Sequence, residues 1–178
     1  MKLYLFNGSA HKRGNAEHLW RVFELEARTK RGHTIHYNEE TPSPCINCGM
    51  CAVNGKCSID NKMFQYGLND CDGIVILSPI YFFSFSAKAK LFLDRLYSTN
   101  LSGKILTAIT LSGSDTESRY CGFDIVSDTL KRTSEYCGSI YVEPVNFVTG
   151  DKKIEYPVAD RLSEFIDRLE VAYNEAGC

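Results

Sequence analysis

Five apolar, β-type runs alternate with five amphipathic helical stretches along this chain, and that rhythm marks βαβ units wound onto a parallel sheet. Strands are expected at Lys2–Phe6, His33–Tyr37, Gly73–Leu77, Lys104–Leu111 and Ser139–Phe147. Helices are expected at Asn15–Lys30, at 62–69, and at Ala87–Tyr97, Phe123–Cys137 and Val158–Ala176. The first helix carries Leu19, Val22, Phe23 and Leu25 as its buried stripe and is ended by Gly32. The run Ile74-Val75-Ile76-Leu77 is wholly apolar, as befits a central strand covered on both faces. No repeat, linker or low-complexity tract interrupts the pattern. The expectation is therefore a single α/β domain over 1–178, a doubly wound five-stranded parallel sheet in the order 2-1-3-4-5, with one irregular cysteine-rich loop insertion at about 42–60.

A chain of 178 residues buries roughly two-thirds of its unfolded surface, so no disulfide is needed to hold it. Its formal charge of -2 offers no electrostatic footprint for nucleic acid. The opening apolar run, Leu3 to Phe6, turns polar at Asn7 and is too short for a signal peptide or a membrane span, which makes the cytoplasm the expected compartment. In that reducing setting the eight cysteines read first as ligands, redox groups or buried thiols.

Open parallel sheets bind ligands beyond the C-terminal strand ends, where the strand order reverses. Here that means the loops after the first, third and fourth strands. The first, Asn7-Gly8-Ser9-Ala10-His11-Lys12-Arg13-Gly14-Asn15, runs into a helix whose N-terminal N–H groups and dipole favour an anion. Ser9 and Asn15 can donate to phosphate oxygens, and three basic side chains stand beside them. The spacing matches neither a dinucleotide fingerprint nor a nucleoside-triphosphate loop, so a monophosphate fits better. The plain alternative is a βα turn with Asn15 as a helix cap. The second loop, Ser78 to Ser86, holds four aromatics where a connection is normally polar. Phe83 and Phe85 are readable as core, while Pro79, Ile80, Tyr81 and Phe82 are the stronger ligand contacts. The third loop, Thr110 to Asp115, offers glycine for close approach and small polar groups, and also reads as a plain turn.

Together the first loop's Gly-Ser-x-x-x-x-Gly-Asn pattern and Ser78-Pro79-Ile80-Tyr81-Phe82, followed by Ser86-Ala87 and Leu93-Asp94-Arg95, resemble the NADPH-dependent FMN reductase family of the flavodoxin-like superfamily. The resemblance runs from Lys2 to about 150. It implies a flavodoxin-like fold that binds FMN, with NAD(P)H as electron donor and no dedicated catalytic side chain. Carried over, Ser9, His11, Gly14, Asn15 and the backbone at Ala16 would hold the FMN phosphate, Pro79 to Phe82 would line the ring, and Ser112 and Gly113 would approach its far side. The family often has a basic residue where His11 stands and Thr or Ser where Ala16 stands; Lys12 and Arg13 could supply the charge.

Cys45, Cys48, Cys51 and Cys57 form a C-x2-C-x2-C-x5-C run, enough thiolates for one metal centre. The segment resembles the compact cluster motif of iron-sulfur flavoproteins, a branch of the same family, and so implies a [4Fe-4S] cluster. Zinc, whose Cys pairs are usually farther apart, and a metal-free thiol loop remain the alternatives. Cys71, Cys121, Cys137 and Cys178 read as scattered thiols. The resulting expectation is an oxidoreductase passing electrons from NAD(P)H through FMN to a quinone, a flavin or an iron-sulfur centre. Its alternatives are an electron carrier with a ferredoxin-like partner, or a zinc-stabilised binding module. A homodimer or homotetramer is expected.

Overall fold

The computed structural model describes residues 1–59, 67–149, 154 and 157–177. In chain order the elements are β1 (Lys2–Asn7), α1 (Asn15–Glu24) continued by a π-helical segment Leu25–Lys30, β2 (Thr34–Asn38), α2 (Met50–Asn54), β3 (Gly73–Tyr81) and β4 (Ser84–Phe85). There follow α3 (Ala87–Arg95) with a 3-10 turn Leu96–Ser98, β5 (Ile105–Ser112), α4 (Phe123–Cys137), β6 (Ile140–Tyr141), β7 (Val145–Val148) and α5 (Val158–Glu175). Most of the helix expected at 62–69 lies outside the described residues.

Among the described residues the sheet has seven strands, on the path β2-β1-β3-β5-β6, with β7 also beside β5 and β4 beside β3. All pairings are parallel except β3 with β4. The expected order survives in outline, and the five strands become seven for two reasons. The last strand, expected unbroken over Ser139–Phe147, pairs with the start of β5 through β6 and with its end through β7, and is interrupted at Val142–Pro144. Pro144 has no N–H to give the ladder. The third strand does not stop at Leu77 but runs on to Tyr81 and folds back as β4, so Ser78 to Tyr81 are strand rather than loop.

Side chains alternating along the strands feed two cores. Leu3, Leu5, Val75, Leu77 and Ile109 pack under α1 and α5 with Leu19, Phe23, Phe165 and Ile166, while Tyr4, Phe6, Ile74, Ile76 and Ala108 pack under α3 and α4 with Phe92, Leu96, Val126 and Leu130. The π-helical widening after Glu24 shifts the phase of the first helix. Leu25, expected in the buried stripe, is 53% exposed, whereas Glu26 and Ala27 turn inward. Buried Glu26 is met by Lys30 at 2.8 Å.

One buried serine ties the ends of three strands together. Ser86, the N-cap of α3, accepts from Ala89 N at 3.2 Å and donates to the Gly8 carbonyl at 2.7 Å, while Ser78 Oγ donates to it at 3.3 Å. Replacement by alanine orphans a helix N–H and a loop carbonyl, both buried, and is expected to destabilise the fold by about 2 kcal/mol. Urea denaturation measures this; a loss under about 0.5 kcal/mol would contradict it.

The tip of the β3–β4 hairpin is strained. Phe82 and Phe83, its two turn residues, both lie in the left-handed region, at φ 46° and 66°. That conformation costs an L-residue with a bulky side chain about 1–2 kcal/mol, and hairpin turns of this kind normally use Asn-Gly. Phe82 is nevertheless 97% exposed.

Candidate functional site

A cavity of about 1040 Å³ opens at the C-terminal ends of β1 and β2, walled by the loop from Asn7 to Arg13, by Glu17 and Trp20 of α1, by Tyr37 of β2 and Glu39 to Thr41 after it, and by Ser86 to Lys88 at the start of α3. The loop is held from beneath. Gly8 N donates to Leu77 O at 2.7 Å, and a Cβ at Gly8 would fall 2.6 Å from Ala89 Cβ and 3.1 Å from the Leu77 carbonyl oxygen, so only glycine lets the loop pass over α3. Asn7 Oδ1 accepts from Ser9 N at 2.9 Å, and Asn7 Nδ2 donates to Tyr37 Oη at 2.9 Å. Tyr37 donates on to Glu39 at 2.8 Å and stacks on Trp20 at 4.3 Å between ring centroids. Burial pushes the Tyr37 hydroxyl up to about 12, so it remains a donor at neutral pH.

The cationic end of the cavity is at Ser9. His11 N donates to Ser9 Oγ at 3.2 Å, and Lys88 Nζ donates to Ser9 O at 3.4 Å. Partial burial holds the Lys88 ammonium below the usual lysine range, assisted by Lys12 and opposed by Glu39. Helix α1 starts at this point with Gly14 as its N-cap and no side-chain cap, so its first N–H groups face the loop. Asn15 is the first helical residue, not the cap.

The residues singled out by sequence are distributed as follows. Ser9, His11, Lys12 and Tyr81 line the cavity; Gly14, Asn15 and Ala16 sit just behind it at the head of α1. Pro79 and Ile80 are half-buried in β3, and Phe82 stands clear at the hairpin tip. Ser112 is buried, and its hydroxyl is engaged, accepting from Asn146 Nδ2 at 2.7 Å and donating to Ser114 O at 2.7 Å. That leaves the backbone at Gly113, beside open space, as the part of the third loop able to meet a ligand. Trp20, Tyr37 and Lys88 went unnoticed in sequence. Lys88 had a signal, since the head of α3 belongs to the same sheet edge as the first loop; the inward face of Tyr37 had none.

A second cavity, of about 380 Å³, has Cys45, Cys48, Cys51 and Cys57 on one wall and Arg95 and Tyr97 on the other. Arg95 is 3% exposed and donates from Nη1 to Ser43 O at 2.9 Å, anchoring the start of the cysteine segment to α3. Ser58 Oγ lies 2.9 Å from Cys48 Sγ, and this hydrogen bond, with the backbone at Met50, lowers the thiol's pKa. Among the described residues no group of three or more His, Cys, Asp or Glu side chains is close enough to hold a metal ion, so the four thiols share a cavity without forming a closed ligand set. Cys71 is an inert core thiol: burial pushes it up to about 11. Cys178 lies outside the described residues. No helix among the described residues is long and apolar enough to cross a membrane.

The family model for NADPH-dependent FMN reductases matches residues 1–148. The chain belongs to that family. Among curated proteins it is 34% identical over 100 residues to an iron-sulfur flavoprotein of Methanocaldococcus jannaschii, covering 53% of this chain and 51% of that one. It is 31% identical over 124 residues to an iron-sulfur flavoprotein of Methanosarcina thermophila, covering 64% of each. The match thus spans between half and two-thirds of these relatives' length. Solved structures with the same fold include a WrbA-like flavodoxin of Agrobacterium tumefaciens (TM-score 0.65, 14% identity, 97% of both chains) and flavodoxin 1 of Bacillus cereus (TM-score 0.63, 16% identity, 96% of this chain and 98% of that one). The doubly wound α/β architecture expected from the strand rhythm, and the flavodoxin-like fold that the resemblance implied, are therefore those of this FMN reductase family member.

Proposed function

We propose that the chain is an FMN-dependent oxidoreductase that takes electrons from NAD(P)H and passes them to a small acceptor such as a quinone or a free flavin. The observation that carries this reading is the cavity at the sheet's C-terminal edge, with His11, Lys12, Arg13 and Lys88 lining its Ser9 end. Ser9, the uncapped head of α1 and Lys88 suit a phosphate monoester: directed donors with one partly desolvated ammonium. Tyr37, Asn7 and Glu39 form a linked row able to meet hydroxyl groups, and Tyr81 offers an aromatic wall toward the strained hairpin. FMN, when bound, supplies hydride and electron chemistry. The chain's own part is to grip the phosphate, fix the ring at the β3–β4 hairpin and keep water from one of its faces. No side chain of the cavity is needed as a proton donor or acceptor. The purified protein is expected to be yellow, or to turn yellow with FMN, and NADH or NADPH added without oxygen should bleach the flavin band within seconds. A flavin band that neither nucleotide bleaches would overturn the reductase reading.

The four thiols sharing one cavity favour a second reading, in which a [4Fe-4S] cluster occupies that cavity and exchanges electrons with FMN and a ferredoxin-like protein. Its support is the placement of all four cysteines along one cavity, though not within ligating distance of a common point, and the likeness to proteins named iron-sulfur flavoproteins. Iron and acid-labile sulfide near four of each per chain in anaerobically prepared protein would be expected; zinc, or free titratable thiols, would leave the cysteine segment structural. The cytoplasm and a homodimer or homotetramer fit both readings.

A further inference from the structure

We infer that Gly122 is the positioning residue of the flavin-facing hairpin, holding the Phe82–Phe83 turn in its strained shape from behind. The inference rests on the FMN reading above and assigns a role to a residue outside the cavity. Gly122 is the N-cap of α4 and lies in the left-handed region at φ 76°. A Cβ there would overlap the Cα of Phe83 and lie 2.6 Å from its carbonyl carbon and oxygen. The contact is with backbone, so no rotamer change relieves it; the turn itself has to move.

The two glycine requirements at this point are independent. A left-handed N-cap tolerates Asn nearly as well as Gly, but the close approach tolerates neither Asn nor Ala. Gly122 therefore does more than end a loop. It lets the head of a fifteen-residue helix press on the hairpin, while Cys121 beside it is buried at 3% exposure. A turn whose two residues both sit at positive φ relaxes unless its surroundings over-determine it, and at functional sites such strain persists where a fixed geometry serves a ligand. With the turn fixed, Tyr81 on the cavity wall and Phe82 at the tip present a pre-set apolar edge to a planar ring.

The test uses the full chain and measures binding of FMN and of lumiflavin, the flavin ring without its phosphate tail, by fluorescence quenching alongside thermal melting. Gly122→Ala is compared with Gly138→Ala. Gly138, at φ 69°, caps the other end of the same helix, and its nearest atom to an added Cβ is Ser102 Oγ at 3.6 Å. Both substitutions should lower the melting temperature. Only Gly122→Ala should weaken binding, roughly ten-fold or more and by the same factor for both ligands, and Gly122→Asn should reproduce it. If neither Gly122 variant folds, Phe83→Gly keeps the fold, because glycine suits a left-handed position, and should weaken lumiflavin several-fold by loosening the turn. Unchanged flavin binding in the Gly122 variants or in Phe83→Gly, or an equal loss in Gly138→Ala, overturns the inference alone. A wild-type chain that binds no flavin overturns the FMN reading and the inference with it.

Discussion

Replacing Lys88 with methionine should weaken FMN binding by about ten- to a hundred-fold and leave riboflavin binding nearly unchanged. Lys88 reaches the cavity from α3, its stem half-buried and its ammonium at the carbonyl of Ser9, in the loop that leads to the head of α1. A cation in such a place contributes chiefly when an anion arrives, since the charge-assisted contact then replaces water at a site already partly dry. Riboflavin carries the same ring and chain without the phosphate, so the ratio of the two affinities isolates this contact. The lowered pKa adds a pH signature. Affinity for FMN should fall as pH rises through the free-state pKa of Lys88, which burial sets below the ordinary lysine value, and the fall should vanish in Lys88→Met. Isothermal titration with both ligands across that range decides it; equal losses for FMN and riboflavin would show that the variant has disturbed the cavity rather than the phosphate contact.

The second large effect concerns stability. Phe92, fully buried on α3, lies parallel to Phe6 at 4.0 Å between ring centroids and to Tyr4 at 5.9 Å, so that one ring joins the helix to β1. Phe92→Ala removes this stack and leaves a cavity walled by sheet residues that cannot close in. The expected loss is about 3–5 kcal/mol, against a total of about 5–15 kcal/mol for a domain of this kind. The variant should show a sharply lowered urea midpoint or no cooperative transition; a loss below about 1 kcal/mol would mean that the core under α3 repacks freely.

The strand rhythm and the central apolar run were legible because parallel strands buried on both faces favour continuous apolar stretches, as the wholly buried Ile74–Leu77 of β3 shows. Three features were not, each for a physical reason. The phase shift at Leu25 arises from a π-helical turn, which a 3.6-residue period cannot announce. The break at Pro144 was written in the sequence, since proline cannot sit in the middle of a ladder, yet the apolar residues around it read as one run. The Phe82–Phe83 hairpin went unseen because its turn residues are the opposite of those that such a turn prefers. Local preference and observed backbone disagree there, which is where a functional site is expected.

The candidate site divides along the same line. Ser9, His11 and Lys12 sit in one short loop and were readable by spacing, whereas Trp20, Tyr37 and Lys88 come from three elements that meet only in the folded chain. The cysteine segment was conspicuous in sequence, and its cavity against Arg95 required the structure.

The most direct test of the account is a fluorescence titration of the full chain with FMN and, separately, with riboflavin. Saturable quenching at one FMN per chain and markedly weaker binding of riboflavin are expected. Equal affinity for the two, or no quenching by either, would contradict a phosphate grip at Ser9 and Lys88.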